Sequence, residues 1–310
     1  MSVTLPDGLL EDYEVLRHGV GTHALPRDVL VVRGTDAESY LQGQCSQDVA
    51  ALRPGESALS FVLGPEGKVD ALVRVTRDDE EAFLLDTEAG LGEQVAARLA
   101  RFKLRSKVEI EALPWTGVAL RGEGIAVPDG PERRPTGWAL PFHHAGWSGV
   151  DLLGAAPAPP PVARPASDEA FEACRIESGL PGPGELADHP IPQETGLVEQ
   201  TVSFTKGCYT GQELVARLDA RGNKVARRLM GVVFAELEVD PAALLGADLV
   251  VAVDGEPKVV GQVTSAAFCP GVGAPAGLSY VHRSIKDGGL VWAELEDDQV
   301  SAEVRPLPLA

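Results

Sequence analysis

From Arg228 onward the chain is written as short apolar or alternating runs, six of them in about eighty residues. They are Arg228 to Phe234, Leu249 to Val253, Lys258 to Thr264, Leu278 to His282, Leu290 to Glu294 and Val300 to Val304, and Asp254-Gly255 is a turn signal between two of them. Strands this short and this closely spaced confine the last third of the chain to a small barrel or sandwich.

The first third has a different grammar. Asp28 to Arg33 is a β-branched run that stops at Gly34, and Thr35-Asp36-Ala37-Glu38 has the capping-box spacing, which predicts a helix to about Gln42 with Cys45 to Asp48 as its exit. Ser57 to Leu63 and Lys68 to Thr76 read as strands joined by the turn Gly64-Pro65-Glu66-Gly67. Ala82 to Asp86 adds a strand, Leu91, Val95, Leu99 and Phe102 have helical spacing, and Lys107 to Glu111 closes an α+β lobe. Trp115 to Leu153 is glycine-rich and predicts short strands of a second lobe. Ala155 to Pro165 is mostly proline and alanine and reads as a linker or exposed loop. Ser167 as N-cap and Gly179 as terminator frame a helix, and the proline-rich stretch Pro181 to Pro192 predicts a rigid loop without regular structure.

A chain of 310 residues makes two or three compact units, and its net charge of −19 argues against direct binding to nucleic acid or to an anionic membrane. The amino terminus carries Asp7, Glu11, Asp12 and Glu14 rather than an export signal, and no run approaches the ~20 apolar residues of a membrane span, so a cytoplasmic protein is expected. Cys45, Cys174, Cys208 and Cys269 lie far apart with no C-x-x-C pair, which argues against a zinc module, and no metal site is expected.

One of those cysteines has a distinctive setting. In Lys206-Gly207-Cys208-Tyr209-Thr210-Gly211-Gln212-Glu213 a thiol stands beside a lysine, between glycines that permit a sharp turn, and ahead of a helix predicted from Gln212 to Ala220. Lys206 would favour the thiolate and Tyr209 would offer a hydroxyl or a stacking face. The residues alone leave open whether Cys208 is a nucleophile, a transient metal or sulfur ligand, a redox partner, or a small buried apolar residue.

The octapeptide resembles K-G-C-Y-x-G-Q-E, the signature of the YgfZ family of folate-binding proteins, which are relatives of the glycine-cleavage T-protein and support iron–sulfur enzymes. The first lobe is similar to the T-protein family as well, through Gly34, Asp36, Ala37, Tyr40 and Leu41, then Gln47-Asp48-Val49, then Pro65, Gly67, Lys68 and Asp70. T-proteins carry two consecutive acids at that hairpin, whereas here Asp70 is followed by Ala71. Arg175-Ile176-Glu177-Ser178-Gly179 resembles the T-protein segment whose glutamate holds the pterin ring, and Gly261 to Ser265, Cys269-Pro270 and Gly277-Leu278 resemble its barrel.

The resemblance implies an α+β, T-protein-like arrangement of three units around a central cleft. Residues 28–112 would form the first lobe, 1–27 and 113–225 the second, with the linker 155–165 and the cysteine motif 206–213, and 226–310 the barrel. It implies a tetrahydrofolate-binding protein that supports assembly, maintenance or repair of iron–sulfur enzymes, with indirect effects on tRNA modification. Its partners would be reduced folate and iron–sulfur client or assembly proteins. Glu177, Asp70, Arg175 and Gln212 would contact the folate, and Cys208, Lys206 and Tyr209 would carry any chemistry. An aminomethyltransferase-like enzyme and a non-enzymatic adaptor are the alternatives, and whether the chain turns over a substrate stays open.

Overall fold

The computed structural model describes residues 8–253, 255–296 and 298–310, so Asp254 of the expected turn lies outside the described residues. The described strands form two open sheets and one closed barrel, an α+β architecture.

Helix α1 (Leu9–His18), which sequence patterning did not flag, precedes the first sheet. That sheet is antiparallel throughout, in the order Ser57–Leu63, Val69–Asp79, Ala82–Glu88, Arg27–Arg33, Glu109–Leu113. Its period of two sorts the side chains. Leu30, Val32, Val73, Val75, Phe83 and Leu85 face α2 (Ala37–Gln44) and α3 (Gly92–Phe102), and each such burial stabilises by about 1.5–3 kcal/mol. The expected capping box does not form. Asp36 makes no side-chain cap bond; its Oδ2 accepts from the Lys107 amide at 2.8 Å, and Glu38 pairs with Arg77 at 2.8 Å. Tertiary partners have outcompeted the local one.

The opposite face of this sheet, with Val29, Val31 and Leu84, packs on Trp138, Leu140 and Leu153 of the second sheet. That sheet runs Arg164–Pro165, Gly21–Leu25, Thr116–Arg121, Trp147–Gly154, Gly137–His144, Glu132–Arg134. A buried ionic chain ties the two sheets: Arg27 to Asp86 at 2.8 Å, Asp86 to Arg74 at 2.9 Å, Arg74 to Asp151 at 2.8 Å, and Asp151 to Arg121 at 2.7 Å. The two guanidinium groups hold the Asp151 carboxyl down to about 2 against the opposing effect of burial.

The segment 155–165 is an exposed loop only in part. Arg164 and Pro165 form an edge strand parallel to Gly21–Thr22, a place where proline is tolerated because no neighbour needs its missing N–H. Helix α4 (Asp168–Ser178) is capped as its sequence predicts: Ser167 accepts from the Ala170 amide and Gly179 adopts φ +72°. The proline-rich loop, by contrast, contains the short helix α5 (Pro183–Leu186), because proline at the first helical position gives up no hydrogen bond. Helices α6 (Val198–Thr201) and α7 (Gln212–Asp219) flank the cysteine segment.

The last third closes into a six-stranded barrel, in the order Arg227–Phe234, Ala274–His282, Glu256–Cys269, Asp248–Val253, Leu290–Glu294, Gln299–Arg305. Among the described residues no helix is long and apolar enough to cross a membrane, and no group of three or more potential ligands could hold a metal ion.

Candidate functional site around Asp70 and Cys208

The cysteine segment is fastened to the exit of α2. The Lys206 ammonium donates to the carbonyls of Gln42 at 2.7 Å, Cys45 at 2.8 Å and Gln47 at 2.7 Å, while the amides of Ser203 and Thr210 donate to the carbonyls of Ser46 and Gly43. Carbonyls at a helix C-terminus lack intrahelical partners and carry partial negative charge, so a cation is well placed there. An ammonium has three donors, and all three are used, so Lys206 has none left for the Cys208 thiolate. Those three bonds hold the loop in place. Burial pushes the ammonium down to about 8, opposed by Cys45 and Asp48.

The three residues expected to share the chemistry are therefore presented differently. Cys208 is exposed, as are Gly207 and Phe204. Tyr209 turns inward at 7% exposure against Phe61, Leu63, Val69 and Val215, and burial pushes its hydroxyl up to about 12. Tyr209 anchors the turn and leaves the thiol alone at the surface.

Glycines then lock this turn against the first lobe. Gly211 has φ +81°, and a Cβ there would lie 2.6 Å from the Gly64 carbonyl and 3.2 Å from the Gly67 Cα. Gly67 has φ +82°, and a Cβ on it would lie 2.8 Å from the Leu214 Cβ. The start of α7, with half-buried Gln212, is thus laid directly on the turn of the Ser57–Leu63/Val69–Asp79 hairpin. The proline-rich loop joins from the other side: the Val69 amide donates to the Pro190 carbonyl at 2.8 Å, and the Val69 carbonyl sits 2.8 Å from His189 Nδ1.

Asp70 follows directly. Its side chain is 24% exposed, and its nearest cation is Arg98, whose Nε is 3.6 Å from Oδ2, beyond hydrogen-bonding distance. Burial raises the Asp70 carboxyl above the usual carboxylate range, Arg98 and His189 oppose that shift, and Glu66 adds to it. A partly buried carboxylate with a perturbed affinity for protons and few partners is a functional-site candidate. The next residue, Ala71, is fully buried in the lobe's core, so a second acid at that position would point into packed side chains.

Glu177 and Arg175 sit elsewhere and are already occupied. Glu177 is fully buried; Oε2 accepts from the Tyr13 hydroxyl at 2.7 Å and from Arg17, and Oε1 accepts from the Gly271 amide at 2.8 Å. Arg175 is spent on Glu172, on Glu185 at 3.0 Å, on the Leu180 carbonyl at 2.6 Å and on Ser265 at 2.5 Å. Both residues therefore join α1, α4, α5 and the barrel, and the polar atoms expected to meet a folate are engaged within the protein. Sequence reasoning missed Arg98, His189, Tyr13 and Arg17. The spacing of Tyr13 and Arg17 on one face of α1 was the available signal; for Arg98 and His189 there was none.

Residues 227–310 match the glycine cleavage T-protein C-terminal barrel domain. The chain is 30% identical over 250 residues to an uncharacterized protein of Haemophilus influenzae, covering 79% of this chain and 83% of that one. It is 29% identical to the tRNA-modifying protein YgfZ of Vibrio atlanticus, over 67% of this chain and 68% of that one. It is 26% identical to the mitochondrial iron–sulfur cluster assembly factor IBA57 homolog of Chaetomium globosum, over 63% of this chain and only 52% of that one. The glycine cleavage system aminomethyltransferase T of Bartonella henselae superposes with a TM-score of 0.82 at 21% identity, covering 100% of this chain and 91% of that one. With the octapeptide at residues 206–213 on a T-protein fold, the chain belongs to the YgfZ family.

Proposed function

We propose that this protein supports the assembly, maintenance or repair of iron–sulfur enzymes in the cytoplasm, influences tRNA modification through such enzymes, and binds a reduced folate in doing so. The observation that carries the reading is the lock between Gly211 and the Gly64–Gly67 turn, which sets an exposed thiol, Cys208, next to the hairpin that bears the under-partnered Asp70. The names of the relatives support the iron–sulfur and tRNA parts, and the T-protein fold supports the folate part.

The two ends expected to hold tetrahydrofolate fit it unequally. Asp70 has carboxylate capacity to spare, so it is the residue that would accept from the ligand. Glu177 has donors on both oxygens, so in this arrangement it does not offer the pterin a free edge. Cys208, exposed and held in a fixed turn, is suited to binding a metal transiently, or to attacking a partner's disulfide or persulfide sulfur with release of the partner's thiolate. Aminomethyl transfer is the weaker reading, because the second hairpin acid is replaced by buried Ala71.

The test is a knockout strain assayed for iron–sulfur enzyme activity and rescued with wild type, Cys208→Ala and Asp70→Asn, alongside tetrahydrofolate titration of the purified proteins. Rescue by both variants at wild-type level would remove these residues from the function. Absence of folate binding by wild type would remove the folate.

A further inference from the structure

We infer that Arg98 and His189 complete, with Asp70, a polar recognition site for a neutral group that carries an N–H beside a C=O, such as an amide or a lactam edge. Only the identity of the ligand rests on the folate reading above; the site itself stands on the geometry.

Arg98 comes from α3 and is held on three sides. One terminal nitrogen donates to Gln44 at 3.2 Å, the other donates to the Leu63 carbonyl at 2.9 Å, and the guanidinium lies 4.0 Å from the centre of the Phe102 ring. Its Nε is buried and, among the described residues, has no hydrogen-bond partner. A buried guanidinium N–H without an acceptor is costly, and it points to something that fills the gap. The nearest acceptor, Asp70 Oδ2, stands off at 3.6 Å.

His189 forms the third side. It holds φ +45°, a left-handed conformation that few residues other than glycine adopt and that tends to persist at functional sites. Its Nδ1 is 2.8 Å from the Val69 carbonyl, and a carbonyl can only accept, so Nδ1 carries the proton and Nε2 is an acceptor in the neutral ring. The ring is exposed, so Nε2 is open to a ligand.

Charge selects the ligand class. An anion would meet Asp70 with Glu66 close by, and a cation would meet Arg98, so either pays a like-charge penalty. A group with a donor and an acceptor side by side satisfies the carboxylate and the Nε–H together. Reduced folate carries such groups, and so do many amides.

The experiment is a tetrahydrofolate titration of wild type, Arg98→Lys and His189→Asn, with the Asp70 carboxyl followed against pH by carbon-13 NMR in the ligand-free proteins. His189→Asn tolerates the left-handed backbone and is exposed, so it remains folded if Arg98→Lys does not. Loss of a hydrogen bond to a charged group predicts that Arg98→Lys weakens binding about tenfold or more, and that His189→Asn weakens it severalfold. His189→Asn raises the Asp70 midpoint, because it removes an influence that lowers it, whereas Arg98→Lys keeps its charge and leaves the midpoint nearly in place. Unchanged affinity in both variants overturns the inference. If wild type binds no tetrahydrofolate, the functional reading fails and the site is judged by Asp70 alone: a raised midpoint in His189→Asn supports the trio, and an unmoved one overturns it.

Discussion

The Lys206 ammonium and the Gln42 carbonyl, 164 residues apart in the chain, meet at 2.7 Å. The contact is half of the reason the cysteine segment has a fixed place; the glycine lock at Gly211 is the other half.

Replacing Lys206 with methionine keeps the stem and removes the donors, leaving the carbonyls of Gln42, Cys45 and Gln47 without them. A cost of about 2 kcal/mol is expected in denaturant unfolding, with faster amide exchange confined to residues 203–211. A variant as stable as wild type, with unchanged exchange in the loop, would show that the ammonium holds nothing.

Gly211→Ala tests the other half. The added methyl lands 2.6 Å from the Gly64 carbonyl, at a φ of +81° that alanine rarely adopts, so backbone must move on one side or the other. A loss of about 2 kcal/mol or more is expected from strain and clash together. Gly222→Ala, at φ +73° with open space around it, serves as the control for backbone strain alone and should cost about 1 kcal/mol. Equal losses in the two variants would mean that the turn and helix α7 are not locked.

The strands of the last third were legible because a period of two and frequent turns are local signals, whereas their closure into a barrel rather than a sandwich, and its strand order, are set by long-range pairing. Helix α4 was legible because its caps, Ser167 and Gly179, are its own neighbours. The capping box of Thr35 and Glu38 failed because the partner that won Glu38, the Arg77 guanidinium, lies 39 residues away. The engagement of Glu177 was not legible for the same reason: its motif is local, but Tyr13 and Arg17, 164 and 160 residues distant, occupy its Oε2. The octapeptide named the family from contiguous residues, while the division of labour within it, with Lys206 holding, Tyr209 anchoring and Cys208 exposed, depends on carbonyls and core side chains far away in sequence.

The ionic chain between the sheets makes a prediction in acid. Asp151 titrates lower in the fold, at about 2, than its ordinary 3.8, so the folded state holds its proton less tightly than the unfolded chain. A lowered carboxyl stabilises above its unfolded value, and that contribution is lost as pH falls from about 4 toward 2; it amounts to roughly 2 kcal/mol. Urea midpoints measured between pH 6 and pH 2 should fall through that window, and Asp151→Asn should flatten the fall. The same variant should already be about 3–5 kcal/mol less stable at pH 7, because Arg74 and Arg121 lose a shared buried partner.

Glu177→Gln separates a ligand contact from a structural one. The carboxylate neutralises Arg17 and accepts from Tyr13 and Gly271, so its loss leaves a mostly buried guanidinium without its counter-charge and should cost about 3 kcal/mol of stability. If Glu177 holds α1 to the barrel rather than a pterin, tetrahydrofolate affinity at a temperature where the variant stays folded should change less than twofold. Tyr13→Phe removes one donor from Oε2 and keeps the charge pair, so it should be milder in stability and equally silent in binding. A tenfold loss of folate affinity in Glu177→Gln, with a melting temperature near that of wild type, would instead mean that the carboxylate trades Tyr13 and Arg17 for the ligand when the ligand arrives.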